Sequence, residues 1–415
     1  MRVSAALVAT LVLLSTAHGT AAEPAENFFF KKGDRIVFLG DSITEQYQYS
    51  TYIELYLTTR FPKWELTFLN AGIGGDTAAG GASRFLQHVL AEKPTAVTID
   101  FGMNDGGYGA FDPSRSRNYG KNTAIMLDKA MKEKVRVALC SPNAVDYRSR
   151  PQLKLYVETQ RQFYAPLKEV AAKYEVPFVD QYAVMRATLE KMETDDPQAR
   201  KIKPFPDGVH TSPEGGLLMA HTILTGLHAP GPVSDVHIDA AAGMANPKAC
   251  HIDKLQSSTS AVQFDRTDEA LPLPLLKNWL PILPYVNDLK DLNWYGLNVT
   301  GLAPGKYLLL IDGKEMAAYT ADQLAQGVNL ASLTSGPIFD QGQKVLSAIN
   351  AKNAIVHQRF RGVVLFQAPD WLADVAAERK PRELAKRMEQ INSRQAAIYK
   401  MVQPQTHHFE LKQAN

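Results

Sequence analysis

From Arg35 to about Leu227 the chain alternates short apolar runs with longer mixed stretches. The runs "RIVFL" (35–39), "LTFLN" (66–70), "AVTIDF" (96–101), "VRVAL" (135–139) and "PFVD" (177–180) have the length and residue types of buried strands. Helices are predicted between them over Ser50–Arg60, Gly81–Glu92, Asn122–Lys134 and Leu153–Lys173. The first two stop short of Pro62 and Pro94, and the third carries Ile125, Leu127, Ala130 and Met131. Strands alternating with helices imply a parallel sheet with helices on both faces.

The pattern changes near Val233. "VSDVHI", "AVQFD" and "GLNVTGL" read as short strands, and "KYLLLIDGKEMAAYT" (306–320) as a hairpin turning at Asp312-Gly313. Two Pro-rich stretches, 271–276 and 280–284, interrupt them, and helices follow over Phe339–Phe366 and Pro381–Val402. The expected organisation is an α/β domain over 31–228, a β-rich module over 229–335 and a helical segment over 336–415, whose helices are free to pack on the first half. His407-His408, in a polar tail, reads as a solvated end.

Before the first strand, one Arg, an apolar run from Ala5 to Leu14, and small residues including Thr20 and Ala22 make residues 1–22 a secretory signal peptide. The run is too short to span a bilayer well, and no second long one follows, so a soluble mature protein, secreted or periplasmic, is expected. Length and composition fit this: 415 residues suggest two or three domains, and 45% hydrophobic with 21% charged residues suits globular cores. The net charge of +2, with no basic block, argues against nucleic acid as the main partner. Whether Cys140 and Cys250 pair is left open, although Cys140, ending an apolar run, reads as a core residue.

Ligands of an open parallel sheet bind beyond the carboxyl ends of its strands. Four loops in those places are rich in Gly, Asn, Asp or Ser: Gly40-Asp41-Ser42, "NAGIGGDT" (70–77), "GMNDGG" (102–107) and "FPDGVH" (205–210). Each alone is an ordinary turn, and Ser42 alone is a helix cap. Together they hold the parts of an acyl-transfer site. A serine hydroxyl needs an imidazole to take its proton, and the imidazole needs a carboxylate to fix its tautomer. Asp207 and His210, three apart, can be presented by one loop. Donors for an oxyanion are available in the Ser42 N–H, a glycine N–H of the second loop and the Asn104 amide.

Competing readings are weaker. "GIGGDTAAGGA" lacks the Lys-Ser/Thr of a phosphate loop, and Thr77 breaks a Gly-x-Gly-x-x-Gly. Ser42 is not in a Gly-x-Ser-x-Gly elbow. Asp207 and His210 are too few for a metal site, and His88, His221, His228, His237, His251 and His357 are scattered. No metal or organic cofactor is expected. Asp41 and Asp105 read as loop-shaping residues, and Asp100 as locally paired. Tyr47, Tyr49, Tyr52, Tyr108, Phe111 and Phe205 suit packing slightly better than a sugar ring.

The four blocks resemble the SGNH, or GDSL, hydrolase family: Gly40-Asp41-Ser42, Gly75 in the second loop, Gly102-Met103-Asn104-Asp105 and Asp207-Gly208-Val209-His210, in family order over about residues 31–228. The resemblance implies a flavodoxin-like three-layer fold, Ser42 as nucleophile, His210 as base and Asp207 as its orienting acid. It also implies an oxyanion hole from Ser42, Gly75 and Asn104, with Gly74 the competitor for Gly75. Residues 229–415 resemble extensions on bacterial, exported members, and are expected to buttress or cover the active-site face. The implied activity is a serine esterase acting on a small acyl ester, acetyl first, of a carbohydrate. A lipase or thioesterase on the same site, and a non-catalytic carbohydrate-binding protein of the same fold, are the alternatives.

Overall fold

A computed structural model describes residues 27–195 and 197–414; the signal peptide read over 1–22 lies outside them. Five parallel strands form the first sheet: β1 Arg35–Gly40, β2 Thr67–Gly72, β3 Ala96–Asp100, β4 Arg136–Cys140 and β5 Phe178–Val179. Their order is β2-β1-β3-β4-β5, the flavodoxin-like order expected. Ile36–Gly40 and all of β3 are buried, as near-continuous apolar runs require when helices cover both faces. The strand order reverses between β1 and β3, so the loops after these two strands lie side by side.

The helices depart from expectation where turn chemistry outweighs hydrophobic pattern. The helix expected from Asn122 begins at Pro113, because Asp112 caps Ser114 N–H and Pro113 takes the first turn. The helix expected over Leu153–Lys173 is two, Lys154–Tyr164 and Pro166–Tyr174, broken at Pro166. The helix Gly81–Glu92 is Ala78–His88, capped by Thr77, followed by a 3₁₀ turn.

The extension builds two more sheets. Strands β6 Pro232–Asp239, β7 Met244–Lys248, β8 Cys250–Ser257, β9 Ala261–Asp268, β10 Trp294–Thr300, β11 Lys306–Ile311, β12 Lys314–Thr320, β13 Val328–Asn329 and β14 Thr406–Gln413 pair as β13-β10-β6-β7 and β12-β11-β14-β9-β8. Their facing side chains, among them Val236, Phe264, Leu297, Leu309 and Phe409, form a second core. The reading of His407-His408 as a solvated end is corrected. His407, Phe409 and Leu411 alternate inward along β14, and His407 Nδ1 lies 2.7 Å from Asp312 Oδ2. With only two apolar residues on its inner face, the strand carried little hydrophobic signal.

The long C-terminal helices are Pro337–Arg359, continued by a π turn Phe360–Val364, and Ala373–Met401. The second starts eight residues before Pro381, which sits within it on the exposed side. The Ala377 carbonyl that Pro381 leaves unbonded is in an exposed turn, so water can satisfy it.

Both helices share the first sheet's core through Val345, Ile349, Val356, Ile391 and Ile398. The Pro-rich stretches serve the same join: Leu271, Leu273, Leu275, Trp279 and Ile282 are buried in that core, and Trp279 packs edge-on against Tyr52 at 4.7 Å. This explains the helix Gln48–Arg60, buried from Tyr49 onward despite its polar residues. Its outer face is covered by the extension, and its polar groups find partners there. Arg60 donates to the carbonyls of Pro230, Gly231, Pro232 and Leu292, and Glu54 meets Lys352 and Asn353.

Cys140 is buried at the end of β4 and Cys250 begins β8; both are free thiols.

Candidate active site

The loop after β1 folds back sharply. A Cβ on Gly40 would stand 2.1 Å from Thr44 Oγ1 and 2.5 Å from the Asp100 carbonyl, so only glycine lets the helix Ser42–Glu45 start there. The cap of that helix is Asp41, whose Oδ1 accepts the Ile43 N–H at 2.9 Å. Ser42 is the first helical residue and its hydroxyl is not spent on capping.

The structure brings Ser42, His210 and Asp207 into one line. Ser42 Oγ is 2.8 Å from His210 Nε2, and His210 Nδ1 is 2.6 Å from Asp207 Oδ2. Asp207 Oδ1 accepts the N–H groups of Val209 and His210, which shapes the loop around its own carboxylate. The loop is tied to its surroundings by Asn143 Nδ2 on the Val209 carbonyl (3.0 Å) and by Thr211 N–H on Gln46 Oε1 (3.1 Å). Partial burial pushes the Asp207 carboxyl up, but the His210 ring and the two backbone N–H groups outweigh it and hold it below the usual carboxylate range.

The remaining predicted residues border this line. Gly74 donates its N–H to Glu45 Oε2 at 2.6 Å, whereas Gly75 follows with φ of 76°, a conformation suited to glycine. Asn104 Nδ2 donates to the Asp76 carbonyl at 2.8 Å and lies 3.5 Å from Asp41 Oδ2. Asp105 accepts the N–H groups of Gly102 and Ala78, bolting the third loop to the second, in keeping with a loop-shaping part. Asp100 does not pair locally; its partner is Gln181 Nε2 at 3.0 Å, from the helix after β5. Burial, then the nearby Asp41, raises its carboxyl well above the usual range. Tyr49, Tyr52 and Phe205 are buried packing residues, Tyr47 and Tyr108 are half-buried, and Phe111 is exposed.

Sequence reasoning missed Gln46, Glu45 and Asp76. Asp76 lies within the second loop, and Glu45 and Gln46 end the short helix that follows the first, but nothing in their spacing marks them as contacts. Among the described residues no group of three or more His, Cys, Asp or Glu could hold a metal ion. No helix among them is long and apolar enough to cross a membrane.

Asp41 gives a pH prediction. Burial pushes its carboxyl up to about 7, against the pull of the Ile43 N–H and with the help of Asp105. A raised carboxyl binds its proton more tightly in the folded state, so the folded state loses stability as pH rises from about 4 to about 7. Asp41→Asn cannot ionise. Its thermal stability relative to the parent should therefore increase from pH 4 to pH 8, by about 4 kcal/mol at most. A relative stability that does not vary with pH would remove Asp41 as a buried, proton-binding group.

Residues 38–216 match the family model of the GDSL-like lipase/acylhydrolase family. The chain is 38% identical over 76 residues to esterase TesA of Pseudomonas aeruginosa, covering 18% of this chain and 36% of that protein. It is 30% identical over 88 residues to an acetylxylan esterase of Geobacillus stearothermophilus, covering 18% of this chain and 40% of that one. Both matches span well under half of those relatives. Over nearly the whole length, the fold resembles that of BT4096, a gut microbial diltiazem-metabolizing enzyme: TM-score 0.80, 24% identity, 95% of this chain and 100% of that one. Extension included, this architecture occurs elsewhere, and residues 38–216 form a domain of the GDSL-like lipase/acylhydrolase family.

Proposed function

We propose that the chain is a secreted or periplasmic serine esterase that removes small acyl groups, acetyl foremost, from carbohydrate esters. The observation that carries the catalytic part is the line Ser42 Oγ, His210 Nε2, Nδ1, Asp207 Oδ2, at 2.8 and 2.6 Å. In this reading His210 Nε2 takes the Ser42 proton as Oγ bonds to the ester carbonyl carbon. The carbonyl electrons move to oxygen, and the resulting oxyanion is met by the N–H groups of Ser42 and Gly75 and by the Asn104 amide hydrogen not given to the Asp76 carbonyl. Gly74 is already engaged with Glu45, which favours Gly75 as the loop's donor. Collapse of the intermediate expels the sugar alkoxide, which takes the proton from His210 Nε2. Water then attacks the acyl-enzyme with His210 again as base, releasing the acid and restoring Ser42. Asp207, ionised throughout, holds Nδ1–H so that Nε2 faces the serine.

The substrate class is supported by the acetylxylan esterase among the relatives and by the apolar N-terminal run that suits export. Acetate release from a panel of acetylated polysaccharides, with p-nitrophenyl esters of rising chain length beside it, tests it. Expected are turnover on at least one acetylated polymer and a fall in kcat/KM of about tenfold or more beyond short acyl chains, the size of effect a closed pocket gives for a few extra methylenes. A flat or rising chain-length profile assigns the site to a lipase or thioesterase. Binding to the polymers without turnover of any ester assigns the chain to carbohydrate binding.

A further inference from the structure

We infer that Glu45 is a positioning residue for the loop that carries Gly75, and that the C-terminal extension sets its position through Arg361. The inference rests on the assignment of Ser42 and Gly75 proposed above.

Glu45 ends the short helix that Ser42 begins. Its two carboxylate oxygens face opposite ways. Oε2 accepts the Gly74 N–H at 2.6 Å. Oε1 faces the extension, 3.3 Å from Arg361 Nε and 3.8 Å from His357 Nε2. Both partners come from the end of the helix Pro337–Arg359 and the π turn after it. Tyr47, itself in the left-handed region with φ of 59°, sets its ring edge-on to His357 at 5.9 Å. One carboxylate thus joins the nucleophile's helix, the second loop and the extension.

Gly74 lies between that carboxylate and the nucleophile: a Cβ built on it would stand 3.1 Å from Glu45 Oε2 and 4.0 Å from Ser42 Cβ. On its far side the loop is fixed by Asp76, which pairs with Arg84 at 2.8 Å, and by Asp105 on the Ala78 N–H. Glu45 fixes the near side, one residue before Gly75. An oxyanion donor works only when held at the right place before the charge develops. Releasing the Gly74 N–H therefore costs transition-state stabilisation more than substrate binding, which shows in kcat rather than KM.

The test uses the full chain with Glu45→Ala, Glu45→Gln, Arg361→Ala and Arg361→Lys, and Ser42→Ala as control. Steady-state kinetics on a short-chain p-nitrophenyl ester are read together with the affinity of phenylboronic acid, whose tetrahedral adduct mimics the oxyanion intermediate. Glu45→Ala should lower kcat about tenfold or more, with KM within about twofold, and weaken boronate binding in proportion. Glu45→Gln keeps an acceptor for Gly74 and should recover most of the loss. Arg361→Ala should lower kcat about threefold, with Arg361→Lys recovering it. Parent-like kcat and boronate affinity in Glu45→Ala overturn the inference, as does a rise in KM alone. If Glu45→Ala does not fold, Glu45→Gln and Arg361→Ala decide: parent-like boronate affinity in Arg361→Ala removes the extension's part. Full activity in Ser42→Ala would overturn the underlying site assignment. An inactive Ser42→Ala beside a parent-like Glu45→Ala overturns this inference alone.

Discussion

Ser42→Ala should lower kcat/KM for a short-chain ester by about 10⁴ to 10⁶, with thermal unfolding close to the parent's. The size follows from the chemistry, since no acyl-enzyme can form and only the oxyanion donors and binding remain to help water. The preserved stability follows from the capping arrangement. Asp41, not Ser42, holds the start of the helix, so removing the hydroxyl leaves the local backbone bonds in place. His210→Ala should cost about as much, and the double variant little more, because the two act as one unit. Asp207→Asn should cost less, about 10²-fold, a reduced figure for an acid whose carboxylate is more than half exposed and already solvated. The amide can still accept the two backbone N–H groups, but it offers no second acceptor for Nδ1–H. Held below the usual carboxylate range, Asp207 stays ionised through the neutral range and should add no limb of its own to the pH profile of activity. Parent-like activity in Ser42→Ala would discard the mechanism.

Lys352→Met should destabilise the protein by about 3–5 kcal/mol, read as a lowered midpoint of urea unfolding. Lys352 Nζ meets Glu54 Oε1 at 2.5 Å, with both side chains almost fully shielded from solvent. Asn353 Nδ2 adds a bond to Glu54 Oε2 at 3.1 Å. Burial pushes the Glu54 carboxyl up and the Lys352 ammonium down, each against the pull of the other. Removing the lysine strands the carboxylate between the helix Gln48–Arg60 and the helix Pro337–Arg359. The double variant Glu54→Leu/Lys352→Met should recover most of the loss, since an apolar pair of similar volume has no charge to desolvate. An unchanged midpoint in Lys352→Met would mean that this contact does not hold the two halves together.

The sheet of the first half was readable because a strand buried on both faces leaves a near-continuous apolar run, and all five runs became strands in place. The site loops were readable because ligand-facing groups of an open parallel sheet follow strand ends, and Gly, Asn, Asp and Ser gather there. Helix starts were less so: Asp112-Pro113 decided one of them through capping, against a polar stretch with no apolar stripe. Glu45 and Arg361 were hidden for another reason. They meet from opposite ends of the chain, and nothing local to either residue encodes the meeting. The burial of the helix Gln48–Arg60 was hidden in the same way, since its polar residues are matched by partners far along the sequence. In β14, two apolar residues on alternate positions are too few to distinguish a strand from a polar tail.

That last strand has a consequence for how the molecule assembles. β12 and β14 flank β11 on either side and run parallel to each other, so the chain leaves the sheet after Thr320, level with the Gln413 end of β14, and returns to it at Thr406, at the opposite end of the sheet and two strands across. Everything between, including both long helices with Lys352 and Arg361, is a loop clasped at its two ends. The entropy of bringing those ends together is lost once, when the sheet closes. From then on, each contact the loop makes with the first half forms at high effective concentration. The sheet in turn cannot close until residues 406–413 are available to separate β11 from β9, which makes its completion a late, long-range step in folding.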